Sequence, residues 1–338
     1  AFAMSYFLDE EKTWLQRDFG LDRRLIKALS KIGFLYPTLV QSKCIPIILQ
    51  GKDVLVRAKT GSGKTIAFSL PVLQKILSSK SVHEQQSIKC VMLAPTKELI
   101  NQIEKHVKDL MYYCRESISI CSLSDDNPSV QRYRLQSLPD IVISTPARFV
   151  QNLKILGAEL DLSQVSTLVM DEADLVLSFG YSEDVHAIIQ RMPKIFQGIL
   201  MSATLSPELE KFKRVVLHNP AMLRLEEPEG AAANLQQYYL RCMERDKYLI
   251  LYVFIKLGLL HGKGLVFVND VNKCYQLKLF LQQFHVPAAV LSAEVPLNSR
   301  LHIIEEFNRG VFDYLIATDA SIDRGEEEEE EVDDDEQE

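Results

Sequence analysis

The residues best placed to do chemistry begin with one short stretch, Ala58-Lys-Thr-Gly-Ser-Gly-Lys-Thr65. Gly61 and Gly63 can take positive φ and carry no Cβ, so backbone N–H groups can turn inward around phosphate oxygens. Thr60, Gly61, Ser62 and Gly63 are the expected cradle, with Ala58 where the pattern usually has its first glycine. Lys64 is expected to reach the β- and γ-phosphates, and the Thr65 hydroxyl to ligate Mg²⁺. A second stretch, Asp171-Glu-Ala-Asp174, leaves the apolar run Thr167-Leu-Val-Met170. Carboxylates at the end of an apolar strand are costly unless they meet a cation. With a phosphate loop upstream that cation is Mg²⁺ on ATP, held by Asp171 directly or through water. Glu172 is placed to polarise the attacking water. Ser202-Ala-Thr204 closes another apolar run, with hydroxyls that suit a carboxylate such as Asp174. Gln41, ahead of the loop, has the donor and acceptor that fit the adenine N6 and N7 edge. Finally, Pro95-Thr-Lys97 and Thr145-Pro-Ala-Arg148 each put a threonine and a cation where a strand gives way to a helix. Helix N-termini so equipped suit backbone phosphates, and simple capping is the alternative for either alone.

These groups need strands and helices to hold them. Asp53–Arg57 reads as a buried strand, and Ile66–Leu70 has the spacing of a helix start, which is the context a phosphate loop requires. Cys90–Ala94, Ser117–Cys121, Asp140–Ser144, Thr167–Met170 and Gly198–Met201 read as further strands. Leu21–Ile32 and the segment after Pro37 read as helices. Alternation of strands and helices to about residue 225 describes a parallel sheet covered on both faces, with ligands at the carboxyl ends of its strands. Glu226-Glu-Pro-Glu-Gly-Ala-Ala-Ala-Asn234 is the expected linker by its proline, glycine and charge. After it, the sequence predicts strands at 236–242, 264–269, 288–291 and 314–318. It predicts helices at 247–257, 271–284 and 300–308, and no second phosphate loop. The expectation is an α/β chain with an ATP-binding domain at 1–225, a linker at 226–234, a second and partial domain at 235–325 and an acidic tail at 326–338.

Composition narrows the class of protein. The 338 residues are 47% hydrophobic and 25% charged, enough for two globular cores. The six cysteines show no paired spacing, which argues for reduced thiols and against a zinc site. No apolar run approaches the roughly 18 residues a membrane span needs. The net charge of −8 is set by the tail, whose 13 residues hold 11 acidic side chains; without them the balance is +3. A mildly basic body is compatible with nucleic acid.

Taken in order, these motifs resemble the DEAD-box RNA helicase family over residues 20–325. The Gln41 segment, the Ala58–Thr65 loop, Pro-Thr-Lys-Glu-Leu, Thr-Pro-Ala-Arg, a literal Asp-Glu-Ala-Asp and Ser-Ala-Thr all stand in the family's sequence. The resemblance implies two RecA-like domains that close on ATP and single-stranded RNA. It implies that Gln41 reads adenine and that Lys64, Thr65, Asp171 and Glu172 handle phosphate, Mg²⁺ and water. Asp174, Ser202 and Thr204 would couple hydrolysis to closure, while Pro95, Thr96, Lys97, Thr145, Arg148 and Thr318 hold RNA. There are departures. The family's isolated aromatic falls near Gln16, with Trp14 and Phe19 beside it. Its paired glycine is replaced by Ser122-Leu-Ser-Asp125, and Leu297 stands where a glutamine is usual, ahead of a retained Arg300. After Thr318-Asp-Ala-Ser-Ile-Asp-Arg-Gly325 comes the acidic run, and the family's later arginine segment is not in the sequence. Such arginines contribute about 10³–10⁵ in rate, so weak hydrolysis is expected of the chain as written, as an incomplete stretch of a longer protein. An acidic insertion at this point resembles the nucleolar subfamily serving large ribosomal subunit assembly, which implies nuclear and nucleolar location, a monomer, and pre-ribosomal RNA and assembly factors as partners. The alternative is a non-catalytic module that binds RNA or a partner protein.

Overall fold

The computed structural model describes residues 9, 13–15, 19–81, 86–124, 127–225, 236–292 and 294–318. The chain divides into two units, residues 1–234 and 235–338. The expected linker at 226–234, the segment 319–325 and the acidic tail at 326–338 lie outside the described residues, as does Asp125.

In the first unit, α1 (Arg23–Ile32) and α2 (Leu39–Leu49) lead into β1 (Val54–Arg57). There follow α3 (Lys64–Lys80), β2 (Cys90–Leu93), α4 (Lys97–Leu110), β3 (Ile120–Ser122), α5 (Pro128–Gln136), β4 (Ile141–Ser144) and α6 (Pro146–Leu156). Then come β5 (Thr167–Met170), α7 (Ala173–Ser178), α8 (Ser182–Arg191), β6 (Gln197–Ser202), α9 (Pro207–Val216) and β7 (Ala221–Arg224). The strands lie in the order β3-β4-β2-β5-β6-β1-β7, every pairing parallel. A parallel sheet is built by crossover helices and must be covered on both faces, so its strands are apolar throughout. Accordingly β2, β4, β5 and β6 are buried at every residue. Alternate side chains divide between two cores. Val54, Val56, Met92, Ile143, Val169 and Ile199 pack with α1 to α4. Leu55, Val91, Leu93, Val142, Leu168 and Leu200 pack with α6 to α9.

Register fixes where the chemistry emerges. Arg57 lies opposite Ser202, Leu93 opposite both Ser144 and Met170, and Met170 opposite Leu200. The residues just beyond, Ala58, Pro95, Thr145 and Asp171, therefore leave the sheet along one edge, the carboxyl edge where such sheets bind ligands.

The second unit holds α10 (Lys247–Lys256), β8 (Gly264–Val268), α11 (Val271–Gln283), β9 (Ala288–Leu291), α12 (Leu297–Arg309) and β10 (Tyr314–Thr318). Its strands pair in parallel in the order β8-β10-β9, over a small core that includes Cys274, Leu277, Leu281 and Ile316.

The sequence expectations need several corrections. Residues 236–243 form no strand and run irregularly into a short 3₁₀ turn at Glu244–Asp246. Tyr238 and Tyr239 there are 88% and 89% exposed, so aromatic content suggested a strand that no described neighbour pairs with. Conversely, β7 gave no sequence signal. It is a four-residue edge strand with Arg224 exposed, and it exists because β1 offers it a ladder. β3 is shorter and later than Ser117–Cys121, and α12 starts earlier than Arg300.

Candidate functional site

The phosphate loop is shaped by two glycines, Gly61 at φ 78° and Gly63 at φ 94°. Between them Ser62 is buried and turns its hydroxyl back onto the Lys59 carbonyl at 2.8 Å, closing the loop on itself. Gly63 is the N-cap of α3 and has no side chain to satisfy the helix's first N–H groups. Those donors and the positive end of a 17-residue helix are free to meet an anion.

Gln41 is tied to this loop. Its Nε2 donates to the Gly63 carbonyl at 3.2 Å, and its Oε1 accepts from the Thr38 N–H at 2.8 Å. Thr38 in turn caps α2 by accepting from the Gln41 N–H, so the two form a capping box. The Thr-x-x-Gln spacing is the sequence signature of that box. A Cβ on Gly63 would come within 2.5 Å of Gln41 Nε2, so the contact itself requires glycine. Trp14 and Phe19 are both buried, 5.5 Å apart between rings. Trp14 Nε1 donates to the Phe34 carbonyl at 2.9 Å, anchoring the segment that leads to Gln41.

The acidic motif arrives from β5, which β6 separates from β1. Lys64 Nζ donates to Glu172 Oε1 at 3.0 Å, both side chains buried, so the loop and the acidic motif converge although 108 residues apart. Glu172 is held at φ 48°, ψ 52°, a left-handed conformation that costs a non-glycine residue about 1–3 kcal/mol. Nothing in the residue type announced it. Asp171 is anchored by its backbone, whose N–H donates to the Leu93 carbonyl at 2.9 Å. Burial first, and then the neighbouring Glu172 charge, push the Asp171 carboxyl up to about 6. A buried carboxylate so disfavoured is short of positive charge, the condition that a bound divalent cation relieves. Asp171, with the Thr65 hydroxyl from the loop, could hold such a cation, and bound Mg²⁺ would neutralise charge on the phosphates.

Asp174 is committed elsewhere. It accepts from the Thr204 N–H at 2.9 Å and from Thr204 Oγ1 at 2.7 Å, and Ser202 Oγ donates to the Thr204 carbonyl at 2.6 Å. Burial raises the Asp174 carboxyl, but the Thr204 and Ser202 hydroxyls outweigh it and hold it below the usual range. These hydrogen bonds join the acidic motif to the Ser-Ala-Thr turn.

Along the same edge, Pro95 precedes α4 and Thr96 caps it, accepting from the Leu99 N–H at 3.3 Å, with Lys97 at the first helical position. Thr145 caps α6, accepting from the Arg148 N–H at 3.4 Å, and Arg148 Nη1 donates to the Leu123 carbonyl at 3.4 Å. Both threonines perform the capping that the sequence allowed, and both leave their helix N-termini at the carboxyl edge. In the second unit, the Thr318 hydroxyl is buried without a hydrogen-bond partner. Ser292, one residue past β9 as Thr318 is one past Ala317, carries a second such hydroxyl. Sequence reasoning missed Ser292, because only strand register brings it beside Thr318.

A parallel sheet with a glycine loop at β1, acids at β5 and a Ser-Ala-Thr turn at β6 defines a P-loop nucleotide-binding core. Comparison agrees with the geometry: residues 38–212 match the DEAD/DEAH box helicase model and residues 246–323 the helicase conserved C-terminal domain, and the chain belongs to this family. It is 47% identical over 318 residues to a probable ATP-dependent RNA helicase, ddx56, of Dictyostelium discoideum, covering 94% of this chain and 46% of that protein. It is 46% identical to the ATP-dependent RNA helicase DBP9 of Cryptococcus neoformans, over 92% of this chain and 51% of the other. The chain thus spans about half the length of these curated relatives. Among solved structures, S. cerevisiae Dbp5 bound to RNA and ADP BeF3 matches with a TM-score of 0.75 at 22% identity, over 91% of this chain and 76% of that one, a likeness of fold. Among the described residues no helix is long and apolar enough to cross a membrane.

Proposed function

We propose that this chain is the ATP-binding and RNA-binding core of an ATP-dependent RNA helicase, acting on pre-ribosomal RNA during large-subunit assembly in the nucleolus. The observation that carries the reading is the Lys64–Glu172 bond at 3.0 Å, which brings phosphate loop and acidic motif into one site. Lys64 exchanges its carboxylate partner for the β- and γ-phosphates when ATP arrives. Glu172, released, accepts the hydrogen bond of the attacking water. Thr65 and Asp171 would hold Mg²⁺, which would neutralise charge on the phosphates, and Gln41 would take the adenine edge. Asp174, through Thr204 and Ser202, passes the change at Asp171–Glu172 to the Ser-Ala-Thr turn. Thr96, Lys97, Thr145 and Arg148 take RNA phosphates at the carboxyl edge, and Thr318 does so from the second unit. The names of the relatives, ATP-dependent RNA helicases, support the substrate class, and the subfamily resemblance supports the ribosomal assignment.

The test is ATP hydrolysis by the protein the gene encodes, with and without RNA, alongside a DNA strand of the same sequence. RNA-stimulated hydrolysis abolished in Lys64→Ala is expected. Hydrolysis indifferent to RNA, or ATP affinity untouched by that substitution, would overturn the reading.

A further inference from the structure

The carboxyl edge carries a feature that the motifs do not account for. Helix α5 starts beyond the end of β3 and is fastened to α6, because Asn152 Nδ2 donates to Gln131 Oε1 at 2.7 Å and to the Arg148 carbonyl at 2.9 Å, in a buried contact. Leu135, one turn after Gln131, is fully buried. Residues 131 and 135 therefore mark the inward line of α5. At about 100° per residue, position 133 lies about 200° from each, on the outward crest. Tyr133 occupies that crest and is 78% exposed. Arg132 and Arg134 are also exposed, each about 100° to one side.

Tyr133 is the most exposed tyrosine among the described residues of this unit, and it differs from Tyr112 and Tyr113. Tyr112 has Lys31 Nζ 2.9 Å and Arg115 Cζ 4.8 Å from its ring centroid, and Tyr113 packs edge-on at 5.0 Å. Those rings are engaged. Among the described residues, no ring or cation packs on Tyr133, so its π-face is open, with an arginine on either side of it along the helix. Nor is the ring far from the edge, since five residues separate it from Pro128, a rise of about 7–8 Å along the helix. The same α6 that carries Thr145 and Arg148 holds α5 in place, so Tyr133 is presented from a rigid support.

We propose that Tyr133 is a base-stacking platform for single-stranded RNA running on from the Thr145–Arg148 phosphate contacts, with Arg132 and Arg134 taking the phosphates on either side. Aromatic rings flanked by cations bind single strands in this way, and stacking tolerates any base. The inference rests on the RNA reading above and extends it by one nucleotide-binding position outside the motifs.

The experiment measures RNA affinity of the whole protein, with a non-hydrolysable ATP analogue, by fluorescence anisotropy. Two single-stranded oligouridylates are used, one of about 6 nucleotides and one of about 12, within the range such sites cover. Wild type is expected to bind the longer RNA more tightly. Tyr133→Ala is expected to lose about 5- to 100-fold on the longer RNA and little on the shorter, while Tyr133→Trp keeps the gain. A 2-aminopurine placed along the longer strand is expected to be quenched by wild type at one position, and not by Tyr133→Ala. Unchanged thermal melting of the variant shows that the fold is kept. If wild type binds both lengths equally, or Tyr133→Ala keeps the whole gain, the platform is overturned while binding of the short RNA upholds the helicase reading. If neither RNA binds, that reading fails and takes the platform with it.

Discussion

At the scale of single residues the site is a competition for one cation. Lys64 is paired with Glu172 at 3.0 Å. Glu172→Gln removes the competing charge, so ATP should bind more tightly to this variant, while turnover should fall by about 10²–10⁴ with the loss of the proposed base. Equilibrium ATP binding and single-turnover hydrolysis check the two halves separately, and weaker ATP binding would show that the ion pair does not compete. Asp171 gives a second prediction. Its folded value of about 6 stands above the ordinary 3.8. The nucleotide-free folded state therefore keeps a proton that the unfolded chain has lost, and stability falls as pH rises through that window, by about 2–3 kcal/mol. Asp171→Asn removes this titration, so its melting temperature should decline less than the wild type's as pH rises from about 4 to 6 and should exceed it above about pH 7. Parallel pH profiles for the two proteins would remove the charge deficit on which the Mg²⁺ assignment rests.

At the scale of elements, the site is a set of joints between helices and strand ends. The joint between α2 and α3 is the contact of Gln41 with the Gly63 carbonyl. Gly63→Ala introduces a Cβ at 2.5 Å from Gln41 Nε2 into a residue at φ 94°. A left-handed alanine alone costs about 1–2 kcal/mol, so urea denaturation should show at least that loss and titration should show ATP affinity falling with it. Full stability with full ATP affinity in this variant would mean the loop tolerates another shape. Much of this element structure was legible beforehand. β1, β2, β4, β5 and the strands of the second unit lie where continuous apolar runs placed them, because strands buried on both faces have no polar positions to blur the signal. β7 and the irregular stretch 236–243 were misread for a common reason: both depend on whether a neighbouring strand is available, and composition does not record that.

For the whole molecule, the division of charge is the governing property. A body of net +3 carries an acidic run that makes the total −8. Replacing Glu326 to Glu331 by glutamine should raise the RNA association rate at low ionic strength. The advantage should vanish near 1 M salt, where screening extends only about 3 Å. Stopped-flow association across a salt series reads this directly, and a rate unaffected at low salt would show that the run exerts no field on the RNA path. The sequence by itself named the residue types and spacings suited to phosphate, magnesium and water, and the alternating strands and helices that present them. It could do so because glycine, lysine, carboxylate and hydroxyl types are chosen for local reasons that spacing preserves. The tertiary structure alone decided who partners whom: Lys64 with Glu172, Asp174 with Thr204, Gln41 with Gly63, Ser292 beside Thr318, and Tyr133 left open on its crest. The three hydrogen-bonded pairings span 22 to 108 residues of chain, and they are set by strand register and helix packing, which no local run of residues encodes.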